Sequence, residues 1–97
     1  MLLDSCKIEY KGLSPDEEIK NIISDLVEKI YANSPSDSNI LFGLEKIGDR
    51  LKASCRISAR DGFFEADAAE DSLLSLCQAL EDSITQQLSS WKETRFI

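Results

Sequence analysis

Polar and apolar side chains alternate near the start of the chain. Cys6, Ile8 and Tyr10 point to one side of an extended backbone, and the charged residues between them point to the other. This two-residue period predicts a half-buried strand over residues 5–11, which Gly12 ends.

A helix is predicted next. Ser14 has the position of an N-cap, Pro15 that of the first helical residue, and Glu17 completes a capping box. The polar residues 33–39 predict the end of the helix and a loop. Between these limits one apolar face recurs at helical spacing, at Ile19, Ile22, Ile23, Leu26, Val27, Ile30 and Tyr31.

Three further strands are predicted, joined by two hairpins. The first two strands alternate over residues 40–44 and 51–59, and Gly48 is at the first central position of the turn between them. The second turn contains Asp61-Gly62, a dipeptide that strongly favours hairpins. A short strand over residues 63–66 follows.

A last helix is predicted from a second capping-box pattern, Asp67 to Glu70, to about residue 93. Its apolar stripe consists of Leu73, Leu76, Cys77, Leu80, Ile84, Leu88 and Trp91. The element order is therefore β-α-β-β-β-α, in a single α+β domain over residues 1–97. The simplest arrangement packs both helices on one face of a four-stranded sheet and leaves the other face open to solvent.

The composition narrows the class of function. Hydrophobic residues make up 42% and charged residues 30%, which is typical of a folded globular domain. The absence of His excludes His-based acid–base catalysis and removes the commonest metal ligand. The three cysteines lack CxxC spacing and fall on apolar faces, so they are predicted to be buried, reduced thiols in a cytoplasmic protein. We expect no signal peptide, membrane partner, catalytic centre, metal, cofactor or small-molecule substrate.

The charges are unevenly distributed along the chain. The formal net charge of −7 argues against unspecific binding to nucleic acid. Residues 50–60, however, carry four bases and no acid, whereas residues 61–82 carry seven acids and no base. The bases of the first segment have even numbers, so they leave the predicted strand opposite its apolar residues; they are Arg50, Lys52, Arg56 and Arg60.

Two interpretations of this basic strand remain open. With Lys7 and Lys11 of the first strand, it forms a binding surface for phosphate or an acidic partner. Alternatively, it is a solvated face whose charge is balanced by neighbouring acids, namely Glu9, Glu45 and Glu65. The acidic residues that follow lack the spacing of a calcium-binding loop, and Asp67, Glu70 and Asp71 are assigned to helix capping.

The chain resembles the ribosome hibernation-promoting and ribosome-associated inhibitor proteins. Its Tyr-Lys-Gly strand end before Ser14-Pro15 is similar to the opening unit of that family. The residues similar to the family's closing strand and long helix are residues 64–68, Asp71, Leu74, Ala79-Leu80, Ile84, Gln87-Leu88 and Trp91-Lys92. The order of strands and helices resembles that of the family over nearly the whole chain.

This resemblance implies a stress-related domain that binds the small ribosomal subunit in the mRNA and tRNA channel and silences translation. It also implies contacts with ribosomal RNA through basic residues of the helices, mainly the last. This sequence departs from that pattern, since positions that are often basic in the family hold Ser83, Gln86, Ser89 and Ser90. The basic residues left on the helix side are Lys20, Lys29, Lys92 and Arg95.

Two hypotheses follow. In the first, the protein is a divergent, non-catalytic factor that binds the small subunit and its rRNA through those four helix-side residues or through the basic strand. In the second, it is a regulatory protein-interaction domain that keeps the fold, has lost rRNA binding, and presents its sheet face or an edge strand to an unidentified protein partner.

Overall fold

Six elements follow one another in the predicted order β-α-β-β-β-α, which confirms the α+β class. A computed structural model describes residues 6–35, 37–60 and 62–95. The elements are β1 (Cys6–Lys11), α1 (Glu17–Asn33), β2 (Asn39–Ile47), β3 (Arg50–Ala59), β4 (Gly62–Glu70) and α2 (Leu73–Arg95). No helix in these ranges is long and apolar enough to cross a membrane.

The strands form one mixed sheet in the order β1-β2-β3-β4. The β1 strand runs parallel to β2, and the other two pairs are antiparallel. A parallel neighbour needs a crossover connection, and α1 supplies it between β1 and β2. The register aligns apolar residues across all four strands, as in the row of Ile8, Phe42, Cys55 and Ala66, so that one face of the sheet is hydrophobic.

Both helices cover this hydrophobic face, as predicted. The buried cluster joins Phe42 and Ile57 of the sheet to Ile23 of α1 and to Leu80 and Ile84 of α2. Within the described residues no helix packs on the opposite face of the sheet. Most of its residues are charged or polar, and its large apolar residues are Leu41, Ile47 and Phe63.

The start of α1 differs from the prediction. Asp16 is the N-cap, and its Oδ1 accepts a hydrogen bond of 2.9 Å from the Ile19 amide, whereas Ser14 and Pro15 precede the helix. The Asp16 carboxylate is a charged acceptor that also complements the positive end of the helix dipole. A cap two residues after Ser14 is therefore favoured.

The boundary between β4 and α2 was also predicted wrongly. The segment from Asp67 to Glu70 does not cap a helix but continues β4, because Ala68 and Glu70 pair with β3. The ladder with the long β3 strand outweighs the helix propensity of the alanines, because tertiary pairing overrides local propensity. The α2 helix begins only at Leu73, after Ser72, whose Oγ accepts a hydrogen bond of 3.2 Å from the Ser75 amide.

Both predicted hairpins form, the second with a shift. Gly48 lies in the two-residue turn between β2 and β3 with a φ of 61°, as expected. In the second hairpin Ala59 pairs with Gly62, so the strands pair one residue closer to the start of the chain than predicted. Gly62 belongs to β4, and Asp61 lies outside the described residues.

Candidate functional site

The open face of the sheet carries charges in bands that cross the strands. The register of the strands defines three successive rows. In order from β1 to β4 they are Lys7-Leu41-Arg56-Glu65, Glu9-Gly43-Ser54-Asp67 and Lys11-Glu45-Lys52-Ala69. Two rows with a surplus of bases therefore enclose a row whose charged members are both acids.

Acidic neighbours pair with part of the basic strand. Arg56 Nε lies 3.2 Å from Glu65 Oε2, and Lys7 Nζ lies 3.5 Å from Glu9 Oε1, so two of the three predicted balancing acids form ion pairs. Arg50 Nε lies 3.4 Å from Asp71 Oδ1. Asp71 therefore balances a base of the sheet and is not a helix cap.

Other bases of this face have no such partner. Within the described part of the chain, Lys11 and Lys52 make no ion pair, although Glu45 lies between them in the register. Arg60 lies in the loop beyond the end of β3, where its backbone amide donates a hydrogen bond of 2.9 Å to Asp37 Oδ2. The fold thus brings Arg50, Lys52 and Arg56 onto one face with Lys7 and Lys11, and leaves Arg60 at its border.

The candidate bases of the helices are dispersed. Lys29 Nζ lies 3.1 Å from Glu81 Oε1 and ties α1 to α2. Lys20 precedes it by nine positions, which places it on the opposite side of α1, about 180° away. Lys92 is exposed near the end of α2, and Arg95 is the last residue of that helix, its side chain lying outside the described part. These four residues form no common cluster.

The helices contain fewer acidic residues than the predicted start of the last helix implies. Because α2 begins at Leu73, Glu70 and Asp71 do not belong to it, and its charged residues are three acids and two bases. The α1 helix carries four acids and two bases. Neither helix presents a basic surface.

Two open depressions lie on the sheet face. One, of about 270 Å³, is centred on the acidic row, with Gly43 and Ser54 between Glu9 and Asp67. The other, of about 460 Å³, lies at the end of the face beside the first basic row and includes Leu41 and Phe63. Sequence reasoning missed these two apolar residues, although both fall in the outward set of their strands, where a large apolar side chain is unexpected.

Cys55 and Cys77 are unsuited to nucleophilic chemistry. Cys55 is buried as predicted, and burial, reinforced by the nearby Cys6, raises its pKa to about 12. Cys6 and Cys77 are only half-buried, contrary to the prediction. Burial, and secondly the charge of Glu81, raises the pKa of Cys77, so the thiolate is disfavoured there too. Residues 6–35, 37–60 and 62–95 contain no group of three potential metal-ligating side chains.

Comparisons with known proteins identify the fold. No protein-family model and no curated protein sequence matches this chain. Its structure is similar to that of a ribosomal subunit interface protein from Coxiella burnetii, with a TM-score of 0.74 and 14% identity over 91% of this chain and 97% of that one. It is also similar to the N-terminal domain of Protein Y from Thermus thermophilus, with a TM-score of 0.63 and 10% identity over 91% of this chain and 94% of that one. Both neighbours are hibernation-promoting-factor proteins, so the resemblance seen in the sequence is confirmed at the level of the fold.

Proposed function

We propose that this protein is a cytoplasmic, non-catalytic binding protein that associates with the ribosome and contacts the rRNA of the small subunit. The observation that carries this proposal is the shared fold, which extends over nearly the full length of both this chain and a ribosomal subunit interface protein.

The open sheet face supports an RNA contact better than the helices do. Lys11 and Lys52 have no competing carboxylate partner within the described residues. The ion pairs of Arg50 and Arg56 are solvent-exposed, and exposed pairs contribute only about 0–1 kcal/mol each. A phosphate therefore displaces those carboxylates at little cost, and the arginines then donate charge-assisted hydrogen bonds to it.

Co-sedimentation with purified small ribosomal subunits tests this function. The protein is expected to sediment with the subunits at low salt and to be released progressively as salt rises. Lys52→Glu should weaken sedimentation strongly, whereas Lys20→Glu, the same change on an exposed helix position, should weaken it only slightly through the net charge. Absence of sedimentation at every salt concentration would refute the ribosome association.

We further propose that the protein silences translation when it is bound to the small subunit. Added to a cell-free translation reaction, the protein should reduce reporter synthesis in proportion to its occupancy of the small subunit, and Lys52→Glu should restore synthesis. Subunit binding without any effect on synthesis would limit the function to association alone.

The acidic row favours a second candidate, a regulatory protein-interaction domain. Glu9 and Asp67 cross the centre of the basic face and repel a continuous phosphate backbone, whereas a protein partner with charges of both signs can match such bands. For this candidate, Glu9→Lys and Asp67→Lys should abolish binding of a protein partner recovered by cross-linking. The same substitutions should strengthen sedimentation with the subunit if the partner is RNA.

A further inference from the structure

We propose that the depression beside Phe63 binds unpaired bases of single-stranded RNA. It is named here the Phe63 depression, and its lining residues include Lys7, Asn39, Leu41, Arg56, Ser58 and Phe63. The inference deepens the proposed function, on which it rests for the source of the RNA, because it assigns contact with the bases to one end of the open sheet face.

Two large apolar side chains are exposed in this depression. Phe63 is 61% exposed and Leu41 is 39% exposed, at one end of a face whose other large apolar side chain, Ile47, lies at the opposite end of β2. Ser58 of β3 pairs with Asn39 of β2 on one side and with Phe63 of β4 on the other. Its small side chain therefore leaves space between the Phe63 ring and β2. The resulting space of about 460 Å³ is within the range of small-molecule sites.

The lining matches the chemistry of a nucleotide. An exposed aromatic ring provides a stacking surface for any base, and Leu41 provides a second apolar surface. Asn39 and Ser58 offer hydrogen-bond donors and acceptors for base edges. Lys7 and Arg56, the register neighbours of Leu41, supply positive charge for phosphates.

The charge of the lining distinguishes RNA from an apolar peptide. Among the described lining residues there is no carboxylate, although the protein as a whole carries a net charge of −7. In the described part of the chain, Lys7 and Arg56 make only exposed ion pairs, with Glu9 and Glu65 outside the lining, and an apolar peptide would offer these cations no further counter-charge. Duplex RNA is also a poor fit, because its bases are stacked inside the helix and do not reach an aromatic side chain.

Glu65 sets the availability of Arg56. Its carboxylate holds the guanidinium at 3.2 Å from the side of β4 and competes with a phosphate for the same donors. Removal of this charge should therefore strengthen RNA binding. A merely exposed hydrophobic patch would not respond in this way.

Fluorescence anisotropy with a labelled, unstructured oligouridine tests the proposal. Phe63→Ala should weaken binding on the order of tenfold, Phe63→Trp should retain it, and Glu65→Gln should strengthen it. Leu74→Ala is the matched control, since Leu74 is 71% exposed on α2, remote from the sheet face, and its removal should change nothing. Circular dichroism of each variant confirms that the fold is kept.

Oligouridine binding and sedimentation together distinguish an RNA site at Phe63 from association with the ribosome. If Phe63→Ala sediments with small subunits as the unchanged protein does and binds oligouridine equally well, the Phe63 depression is not an RNA site, although the ribosome association stands. If oligouridine binds through Phe63 while no variant sediments with subunits, the depression is an RNA site and the ribosome association is wrong. Binding that is lost equally in Phe63→Ala and Leu74→Ala would also overturn the inference.

Discussion

Two glycines have the same left-handed backbone but different surroundings. Gly12 has a φ of 73°, and a Cβ placed on it would lie 2.8 Å from the backbone oxygen of Lys46. Gly48 has a φ of 61°, and a Cβ there would meet nothing within 4 Å. At Gly12 the chain thus needs glycine for both conformation and space, whereas at Gly48 it needs glycine for conformation alone.

Substitution by alanine should separate these two requirements. Gly48→Ala is expected to lower the free energy of unfolding by about 1 kcal/mol, the cost of a left-handed alanine. Gly12→Ala should cost about 2–3 kcal/mol, because β2 must also shift away from the new methyl group. Urea denaturation measures both values. Equal losses of unfolding free energy would show that the close approach to Lys46 does not contribute to the cost of Gly12→Ala.

The buried Cys55 thiol should make the protein sensitive to alkali. Its pKa is raised from 9.0 to about 12, so between these values the unfolded chain ionises while the folded chain does not. The stabilising effect is complete below pH 9 and is lost as pH rises toward 12. From about pH 8 to about pH 10.5, this group alone should lower the free energy of unfolding on the order of 2 kcal/mol.

Cys55→Val tests this effect because it keeps an apolar side chain and removes the titrating group. Its free energy of unfolding should fall less over the same pH range than that of the unchanged protein. Part of the slope should persist, since burial also raises the pKa values of Tyr10 and Cys77. Identical slopes in the two proteins would contradict the assignment.

Among the elements, the edge strand β4 has a side chain that occupies its free backbone groups. Gln87 of α2 accepts a hydrogen bond of 3.3 Å from the Glu65 amide, and its Nε2 donates one of 2.8 Å to the Glu65 carbonyl oxygen. This pair of bonds reproduces what a neighbouring strand would make. Gln87 therefore holds α2 against β4 and blocks edge-to-edge association at this point.

Gln87→Ala should expose that edge. Both hydrogen bonds to the Glu65 backbone are lost, as is a longer one of 3.4 Å that Gln87 Nε2 donates to Ser83 Oγ. The free energy of unfolding should therefore fall by about 1–2 kcal/mol, and the Glu65 amide should exchange with solvent faster. Gln86→Ala, at the exposed neighbouring position, is the control and should leave both quantities unchanged. Hydrogen exchange followed by NMR measures the amide directly, and unchanged protection of Glu65 would refute this role.

The elements also show what the residue pattern encodes. The alternation of Ile40, Phe42 and Leu44 predicts which face of β2 is buried, because the two-residue period of a strand follows from backbone geometry alone. It does not encode the partner of β1, since a parallel neighbour depends on how α1 crosses the sheet. The end of β4 was misjudged because Ala68 suits a helix locally and is kept extended only by its pairing with Ala53.

For the candidate site too, the sequence predicts the direction of a side chain but not its neighbours. The outward direction of Arg50, Lys52 and Arg56 follows from their even numbering and was predicted. The neighbours of these residues depend on register: Asp71 beside Arg50 and the row of Glu9 and Asp67 required the three-dimensional arrangement of four strands. The Phe63 depression likewise forms only when β2 and β4 flank β3.

At the scale of the whole molecule, the open sheet face has a surplus of bases, whereas both helices carry more acids than bases. The outward residues of the described strands carry five bases and four acids, so an anionic partner is repelled less by this face than by the helices, a difference that the formal net charge of −7 hides. The candidate phosphate contacts on the open face are Lys7, Lys11, Lys52 and Arg56. If all four bind phosphates of single-stranded RNA, affinity should fall about 50-fold between about 50 mM and about 200 mM salt.

The salt dependence of oligouridine binding reports this number of contacts. Lys52→Ala should reduce the slope of log affinity against log salt by about 0.7, the value for one phosphate on a single strand. Lys20→Ala, which removes an equal charge from the helix side, should lower affinity slightly through the net charge and leave the slope unchanged. Because the slope counts displaced counterions, it is independent of the stacking that Phe63 provides. An equal change of slope for both lysines would mean that RNA does not distinguish the two faces, and would contradict an RNA contact confined to the open sheet.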